Sequence, residues 1–516
     1  GAFAGKSSAG SVPPSVHRQT LTVSLTEQPW LRDHELYRQP PEWPDDTDRF
    51  PIVPITTMVE MFADAATRLA PGRTVVSIES VRAHRWLQAA PPTTVELVAS
   101  AVAPDRVEVA LEGYAKATVV FGDRPDEAPL PSLEPLRSPR PSPLDPAALY
   151  REHWMFHGPA FQGIRHFAAL GENGIDGELE ALPTPGATLD NAGQLYGWWV
   201  MASVDRDFLA LPQSIERVEL FQPLSPGTRV PTRVRVREMD ERTVRADLEL
   251  LCAERVAVRI TGWVDRRFDS DPQLWEMLRG PERHLLSTIL SGVAAVVDER
   301  WPNAASRELI ARRYLTAPER AEYDSLNPRA QRARLLGRVA AKDAVRAALW
   351  AEGHGQLFPH EIGIGNDDRG APLVTSGPAQ GWPLSIAHRD SVGVALVGAR
   401  GGTPVGIDVE LIEPRGDEAV AAILLPAEQT LLLAAFPDTP AHDWVTRAWA
   451  AKEAAAKATG QGLQGRPKDF SINAVDGMRI QVGGRWVSTV AVDAPIQDTG
   501  QKGSESRRYV IAWTDP

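Results

Sequence analysis

A proline-rich stretch, residues 128–146 (APLPSLEPLRSPRPSPLDP), constrains the fold of this chain more than any other feature. Proline fixes φ and lacks an N–H, so such a run forms neither a helix nor a central strand. It is expected to be a semi-extended linker. The text on both sides of it follows one plan. On the N-terminal side a helix is expected at residues 55–69, then β-branched, strand-like segments at 74–78, 94–103 and 106–114. On the C-terminal side a helix at 189–204 precedes strand-like segments at 215–220, 228–238, 243–251 and 254–263. One long helix followed by antiparallel strands predicts a sheet wrapped around a helix, and the plan occurs twice.

A second seam near residues 268–281 opens a third block of mixed character, with helices expected at 329–350, 427–435 and 444–459. The expected division is a linker at 1–18, a first lobe at 19–127, the proline-rich linker at 128–147, a second lobe at 148–270, a linker at 271–284 and a third domain at 285–516. A chain of 516 residues needs several cores of this kind.

A net charge of −12 speaks against a nucleic-acid partner, since neutralising phosphates requires a basic face. No apolar run approaches the roughly 20 residues that span a bilayer. The lone cysteine, Cys252, excludes an intrachain disulfide, suits a reducing cytoplasm and is expected to be a small buried hydrophobe. Residues 1–12 lack the basic-then-apolar order of a signal peptide and read as a linker.

Two segments of the third block carry chemistry. In Val405-Gly406-Ile407-Asp408-Val409-Glu410 the alternation of a strand puts Asp408 and Glu410 on one face. Adjacent carboxylates repel unless a cation lies between them. In Trp449-Ala450-Ala451-Lys452-Glu453-Ala454-Ala455-Ala456-Lys457, a strong helix former, Glu453 and Lys457 are four apart and share a face. Hard divalent cations take carboxylate oxygens together with substrate phosphates, so three carboxylates and a lysine suit a pyrophosphate. Taken singly, the first segment is more commonly a solvated strand and the second a solvated surface helix.

In this order, with Asp408 and Glu453 45 positions apart, the two segments resemble the phosphopantetheinyl transferases of the surfactin-synthetase type, whose signature is G-[IV]-D-x-E followed by W-x-x-K-E-x-x-x-K. Ser385-Ile386-Ala387-His388 resembles the family's strand entry, with Ala387 where serine is usual. Arg369-Gly370-Ala371-Pro372 resembles its nucleotide-bordering turn, with Ala371 where lysine is usual. The helix from Arg329 resembles its basic first-lobe helix. The resemblance covers about residues 285–513. It implies a pseudo-twofold α+β domain that moves the 4'-phosphopantetheine arm of coenzyme A onto a serine of an acyl carrier protein. It further implies that Asp408, Glu410 and Glu453 hold Mg2+ and that Glu453, directly or through a water, is the base. Lys457 would neutralise the leaving 3',5'-ADP, and Arg329, Arg369 and His388 would meet the nucleotide.

Upstream, His34 lies in Trp30-Leu31-Arg32-Asp33-His34, and Asp190 opens the second lobe's helix four residues before Gln194. Asp at a helix start is commonly a plain N-terminal residue, and a lone His before a proline-rich loop is commonly structural. Together with His157-Gly158-Pro159-Ala160-Phe161-Gln162 and Leu211-Pro212, these residues resemble the dehydratase domain of polyketide and related fatty-acid synthases, a double hot-dog fold. That match spans about residues 21–268. His157 stands where tyrosine is usual, and residues 39–48 lengthen the loop between His34 and Pro54. The resemblance implies removal of water from a β-hydroxyacyl thioester: neutral His34 takes the α-proton, and Asp190, kept protonated by an apolar tunnel, protonates the leaving hydroxyl. Gln194 would reach the Asp190 carboxyl, and the Gly158 N–H would polarise the thioester carbonyl.

The expected whole is a bifunctional α+β chain, dehydratase then transferase, like the carboxyl end of a larger iterative synthase. A second reading keeps the transferase and makes the double hot dog a non-catalytic docking platform. A third, a metal-dependent phosphohydrolase, leaves Lys457 and the His388 strand without a role.

Overall fold

The structure is a computed structural model that describes residues 16–203, 209–268, 272–292, 294–301, 304–495 and 506–515. The leading segment 1–12 lies outside the described residues. The chain divides into two compact units, Gly1–Arg38 with Pro44–Ser270, and Gln39–Trp43 with Asp271–Pro516.

The first unit is built on one antiparallel sheet of eleven strands. From one edge to the other they run Val16–Val23, Thr93–Ala103, Arg106–Leu111, Ala115–Phe121, Val75–Ala83, Leu209–Leu220, Arg255–Phe268, Thr243–Cys252, Arg229–Met239, Gly174–Glu180 and Ile164–Gly171. The helix Ile55–Leu69 packs on the first five and the helix Ala187–Ser203 on strands of the other half. Each half is therefore a hot dog, a sheet wrapped on a helix. The halves join where Ser77 pairs with Glu219 and Val81 with Ile215. The two helices touch, and the Thr57 hydroxyl donates to the Pro185 carbonyl at 2.8 Å. The helix Ala187–Ser203 is buried almost all round, which suits its apolar run Leu195-Tyr196-Gly197-Trp198-Trp199-Val200.

The expected helices fall within two or three residues of those found. Among the described strands of the first unit, four were not anticipated: Val16–Val23, Ala115–Phe121, Ile164–Gly171 and Gly174–Glu180. The first is an edge strand whose covered face carries His17 and Gln19 beside Leu21 and Val23, so its text (VHRQTLTV) shows little apolar alternation. The proline-rich stretch is extended, as expected, and it is also docked. Buried Glu249 accepts from the Ser132 N–H, the Ser132 hydroxyl and the Leu133 N–H. Cys252, expected to be buried, is only partly covered at its strand end. Residues 272–279, expected to be linker, form the helix Pro272–Arg279, whose Leu274 and Met277 enter the core of the second unit.

The second unit has two halves of like design, in keeping with the expected pseudo-twofold domain. In the first, the strands Thr288–Leu290, Ala294–Asp298, Val392–Val397 and Leu384–Arg389 pair in that order, and the helix Pro328–Ala351 packs on them. Asp343 of that helix is fully buried and accepts from the Leu286 and Ser287 N–H groups and the Tyr314 hydroxyl. In the second half, Ile407–Leu411, Ser506–Thr514, Arg485–Pro495, Arg479–Val482 and Ile472–Asp476 form the sheet, with the helix Ala441–Lys457 against it. The Ser385 hydroxyl oxygen accepts from the Ile407 N–H at 3.0 Å and ties one half to the other. Among the described residues no single helix is long and apolar enough to cross a membrane.

Candidate active sites

In the second unit the strand Ile407–Leu411 lies directly on the helix Ala441–Lys457, because the residues between them are small. A Cβ on Gly406 would overlap the Ala454 carbonyl, so only glycine permits this approach. Ala450, Ala451, Ala454 and Ala455 are buried on the same helix. The close crossing brings Asp408, Glu453 and Lys457 together. Lys457 Nζ donates to Asp408 Oδ1 at 2.8 Å and to the Ile407 carbonyl at 3.0 Å. Asp408 Oδ2 is buried without a partner.

Burial pushes the Asp408 carboxyl up to about 6; the Lys457 ammonium opposes this and the Glu410 charge adds to it. Glu453 is also raised, by burial first and then by the charges of Asp408 and Glu410. A divalent cation would fit at Asp408 and Glu453, where one buried oxygen of Asp408 lacks a partner and both carboxyls are raised; Glu410 is turned to Trp449, and among the described residues the three carboxylates do not bring an oxygen each within 4.8 Å of one another. Glu410 is held more firmly than its sequence suggests. Its Oε1 accepts from Trp449 Nε1 at 2.9 Å, and Arg415 and Arg389 approach Oε2 at 3.5 and 3.9 Å. The spacing of Trp449 and Glu453, four apart on one helix face, is the signal that could have revealed Trp449.

His388 stands at the exposed end of the strand Leu384–Arg389. Partial burial, and then the Lys457 charge, lower its pKa. Ala387 is buried in the core, where its methyl packs. Arg329 is exposed in the first turn of its helix, and Arg369 is exposed in a turn where its N–H donates to Asp367. Among the described residues no hydrogen bond or ion pair ties either arginine to His388 or Lys457. Lys452, adjacent to Glu453 in sequence, points the other way. It is fully buried and bonds both Glu428 oxygens, at 3.0 and 2.9 Å, and the Ile423 carbonyl at 3.1 Å, which is a structural role.

The first unit gathers a second cluster. His34 caps the 3-10 turn Pro29–Asp33, and its Nδ1 faces the Ile52 carbonyl at 3.0 Å. That bond puts the proton on Nδ1 and leaves the Nε2 lone pair free. The long loop after His34 does not displace the ring. Its two ends are pinned, Glu35 bridging to Pro51, and the Ile52 N–H returns to the His34 carbonyl. His34 Nε2 lies 3.9 Å from Asp190 Oδ1. Burial lowers the imidazole to about 4, so neutral His34 is the resting form.

Asp190 departs from expectation. Burial alone would raise its carboxyl, but the charge and hydrogen bond of His157, then His34 and Gln194, outweigh burial and leave it lowered. His157 Nε2 is 3.2 Å from Asp190 Oδ2, and Gln194 Nε2 donates to the same oxygen at 2.8 Å. Gln194 also donates to the Phe161 carbonyl and accepts from the Tyr150 hydroxyl, so it holds the carboxylate in place. The expected use of the Gly158 N–H is corrected as well: it donates to the Asp33 carbonyl at 2.8 Å and has no proton left for a thioester. Asp33 Oδ2 further accepts from the Ala160 N–H, clamping the turn that carries His157 beside His34. Asp33 is the residue that sequence reasoning passed over. Phe156 stacks on the His157 ring, and Phe161 faces His34.

Two sequence families match parts of the chain. The sequence family described as the 4'-phosphopantetheinyl transferase superfamily matches residues 404–514, which include Asp408, Glu410, Glu453 and Lys457. The family described as the polyketide synthase dehydratase N-terminal domain matches residues 128–274, which include His157 and Asp190 but not His34. The holo-[acyl-carrier-protein] synthase of Streptococcus agalactiae is 40% identical over 89 residues, 17% of this chain and 74% of that protein. The synthase of the same name from Streptococcus suis is 42% identical over 79 residues, 15% of this chain and 65% of its own. Among solved structures, the dehydratase domain of a mycocerosic acid synthase-like polyketide synthase aligns at 22% identity and TM-score 0.40, over 51% of this chain and 94% of that one. The dehydratase domain of the CurF module of curacin polyketide synthase aligns at 18% identity and TM-score 0.39, over 51% and 96%.

Proposed function

This chain belongs, through its C-terminal domain, to the 4'-phosphopantetheinyl transferase superfamily, and we propose that it is a bifunctional enzyme of polyketide or fatty-acid assembly. Its second unit transfers phosphopantetheine from coenzyme A to an acyl carrier protein. Its first unit removes water from β-hydroxyacyl thioesters on such a carrier. The relatives named for acyl-carrier-protein synthesis support the carrier as partner.

The observation that carries the transferase reading is the meeting of Asp408, Glu453 and Lys457 at one crossing, with Asp408 Oδ2 buried and unpartnered. Asp408, Glu453 and Glu410 would hold Mg2+, which when bound offsets the pyrophosphate charge. The carrier serine oxygen attacks the β-phosphorus, and the bond to the bridging oxygen breaks, releasing 3',5'-ADP. Glu453, whose carboxyl is raised by burial and by the Asp408 charge, takes the serine proton. Lys457 stays protonated beside the leaving phosphate. His388, near Lys457, lies where the nucleotide would pass, and the exposed Arg329 and Arg369 are free to turn toward its phosphates.

In the first unit neutral His34 takes the α-proton through Nε2. The electron pair forms the Cα–Cβ double bond, the Cβ–O bond breaks, and the hydroxyl leaves as water with a proton from the Asp190 side of the site. Intact-mass analysis of an apo-carrier incubated with this chain, Mg2+ and coenzyme A tests the transfer. A gain of the phosphopantetheine mass is expected. Release of phosphate from nucleotides without any carrier would instead support a phosphohydrolase. A β-hydroxyacyl carrier that loses no water would leave the double hot dog as a docking platform.

A further inference from the structure

We propose that His34, His157 and Asp190 form a binding site for a borderline divalent cation of the Zn2+ class, and that the seated cation blocks dehydration by taking the lone pair of His34 Nε2. The site stands on the cluster alone. Its inhibitory effect rests on the dehydratase reading, whose proton transfers are left as they are in the metal-free chain.

Donor type and spacing carry the inference. One ligating atom from each of the three residues lies within 4.8 Å of the other two, and among the described residues no other group of three histidine, cysteine or carboxylate side chains does so. His34 Nε2 is 3.9 Å from Asp190 Oδ1, and His157 Nε2 is 3.2 Å from Asp190 Oδ2. Zinc holds nitrogen and oxygen ligands at about 2.0–2.2 Å, so two ligands of a tetrahedral site stand roughly 3.4 Å apart. Small side-chain shifts bring both pairs to that spacing. Two imidazoles and one carboxylate suit Zn2+ and its neighbours in the first transition row. Mg2+ takes oxygen ligands and has little affinity for such a set. Sites with three protein ligands keep a fourth position for water or a substrate oxygen.

The surroundings are those of held ligands. All three side chains are buried. A ligating histidine commonly gives its other N–H to a carbonyl, and His34 Nδ1 faces the Ile52 carbonyl at 3.0 Å. Ligating carboxylates are hydrogen-bonded in their turn, and Gln194 Nε2 donates to Asp190 Oδ2 at 2.8 Å. The His157 ring is fixed by stacking on Phe156 at 4.0 Å, and its turn is clamped by Asp33 through the Gly158 and Ala160 N–H groups. His157 Nδ1 is buried without a partner, so this imidazole lacks an outer bond and is the weaker ligand of the two. This third donor is the chain's own, since His157 stands where tyrosine is usual in dehydratases of this kind.

The charges balance. The cation meets the Asp190 carboxylate and two neutral rings, each with its single proton on Nδ1. With Nε2 of His34 on the cation, no lone pair remains for the α-proton of a β-hydroxyacyl thioester.

The test uses the full-length chain in excess Mg2+, which fills the site at Asp408 and Glu453. Zn2+ is titrated against a chromophoric chelator. His34→Ala and His157→Phe are each expected to bind one equivalent fewer than the wild type, or to hold it at least about 100-fold more weakly. Equal binding by wild type and both variants overturns the proposal. If the variants melt below the wild type, zinc X-ray absorption of the wild-type chain at one equivalent decides. A shell with two imidazoles supports the site, and an all-oxygen or single-imidazole shell sinks it. One equivalent of Zn2+ is further expected to lower turnover of a β-hydroxyacyl carrier by at least about 100-fold, the size of a lost base, with recovery on chelation. Bound zinc that leaves turnover unchanged or raises it overturns the inhibition. A metal-free wild type that dehydrates but binds no zinc at these residues removes the inference and keeps the dehydratase reading. A chain that binds zinc there but dehydrates nothing when metal-free supports the site and removes the dehydratase reading.

Discussion

His34 Nε2 stands 3.9 Å from Asp190 Oδ1, although 156 positions separate the two residues in the chain. His34 follows the turn Pro29–Asp33 of one hot-dog half and Asp190 lies on the helix Ala187–Ser203 of the other, so the site exists only because the halves join. His34→Ala is expected to lower dehydration by about 10²–10⁴-fold, the usual contribution of a positioned base. Loss of water from a β-hydroxyacyl carrier, read by intact mass, is the measurement. The pH dependence follows from the sign of the His34 shift. Only neutral imidazole accepts a proton, and burial keeps His34 neutral down to about 4 rather than about 6.5. The acid limb of kcat/KM is therefore expected near pH 4 where the fold permits. A limb near 6.5 would show that the ring meets solvent.

Glu453→Gln is expected to cost at least about 100-fold in phosphopantetheine transfer with no change in melting temperature, since the side chain is half-buried and carries no structural hydrogen bond among those described. Asp408→Ala should instead raise the Mg2+ concentration needed. In the intact chain protons compete with the cation at Asp408. Its carboxyl sits at about 6, so the Mg2+ half-saturation should rise by about tenfold for each pH unit below that value and level off above it. A Mg2+ titration that does not move between pH 5 and 7 would take Asp408 out of the cation site.

Lys457→Ala is expected to reduce turnover more than coenzyme A affinity. The ammonium is 2.8 Å from Asp408 in the resting chain, and charge on the departing phosphate grows toward the transition state. Single-turnover kinetics separate the two effects. An affinity loss with unchanged turnover would mean that Lys457 only binds the ground state.

Lys452→Ala, one residue from Glu453, should act on stability and not on chemistry. It strands the buried Glu428 carboxylate, which keeps only its bonds to the Leu425 and Ile472 N–H groups. Removing one partner of a buried ion pair costs about 3–5 kcal/mol. A urea melt of the second unit should show it, and an unchanged midpoint would contradict the burial of that pair.

The sequence by itself determined five of the helices, the duplicated helix-and-sheet plan and the identity of most chemical groups. Those are local properties. Periodicity over 15 residues defines Ile55–Leu69, and a strand's alternation puts Asp408 and Glu410 on one face before any tertiary contact forms. The edge strand Val16–Val23 escaped because only Leu21 and Val23 make its covered face apolar, and the helix Pro272–Arg279 because a short segment between seams reads as linker. Only the tertiary structure decided protonation and partnership. Burial alone, the part that sequence reveals, would have left Asp190 protonated; His157, brought in by a turn clamped on Asp33, reverses the sign. The Gly158 N–H was spent on the Asp33 carbonyl by the same turn, and Gly406 mattered because a helix backbone passes where its side chain would be. Charge, hydrogen bonds and close approach depend on distances between residues far apart in the chain, and those distances are set by how the elements pack.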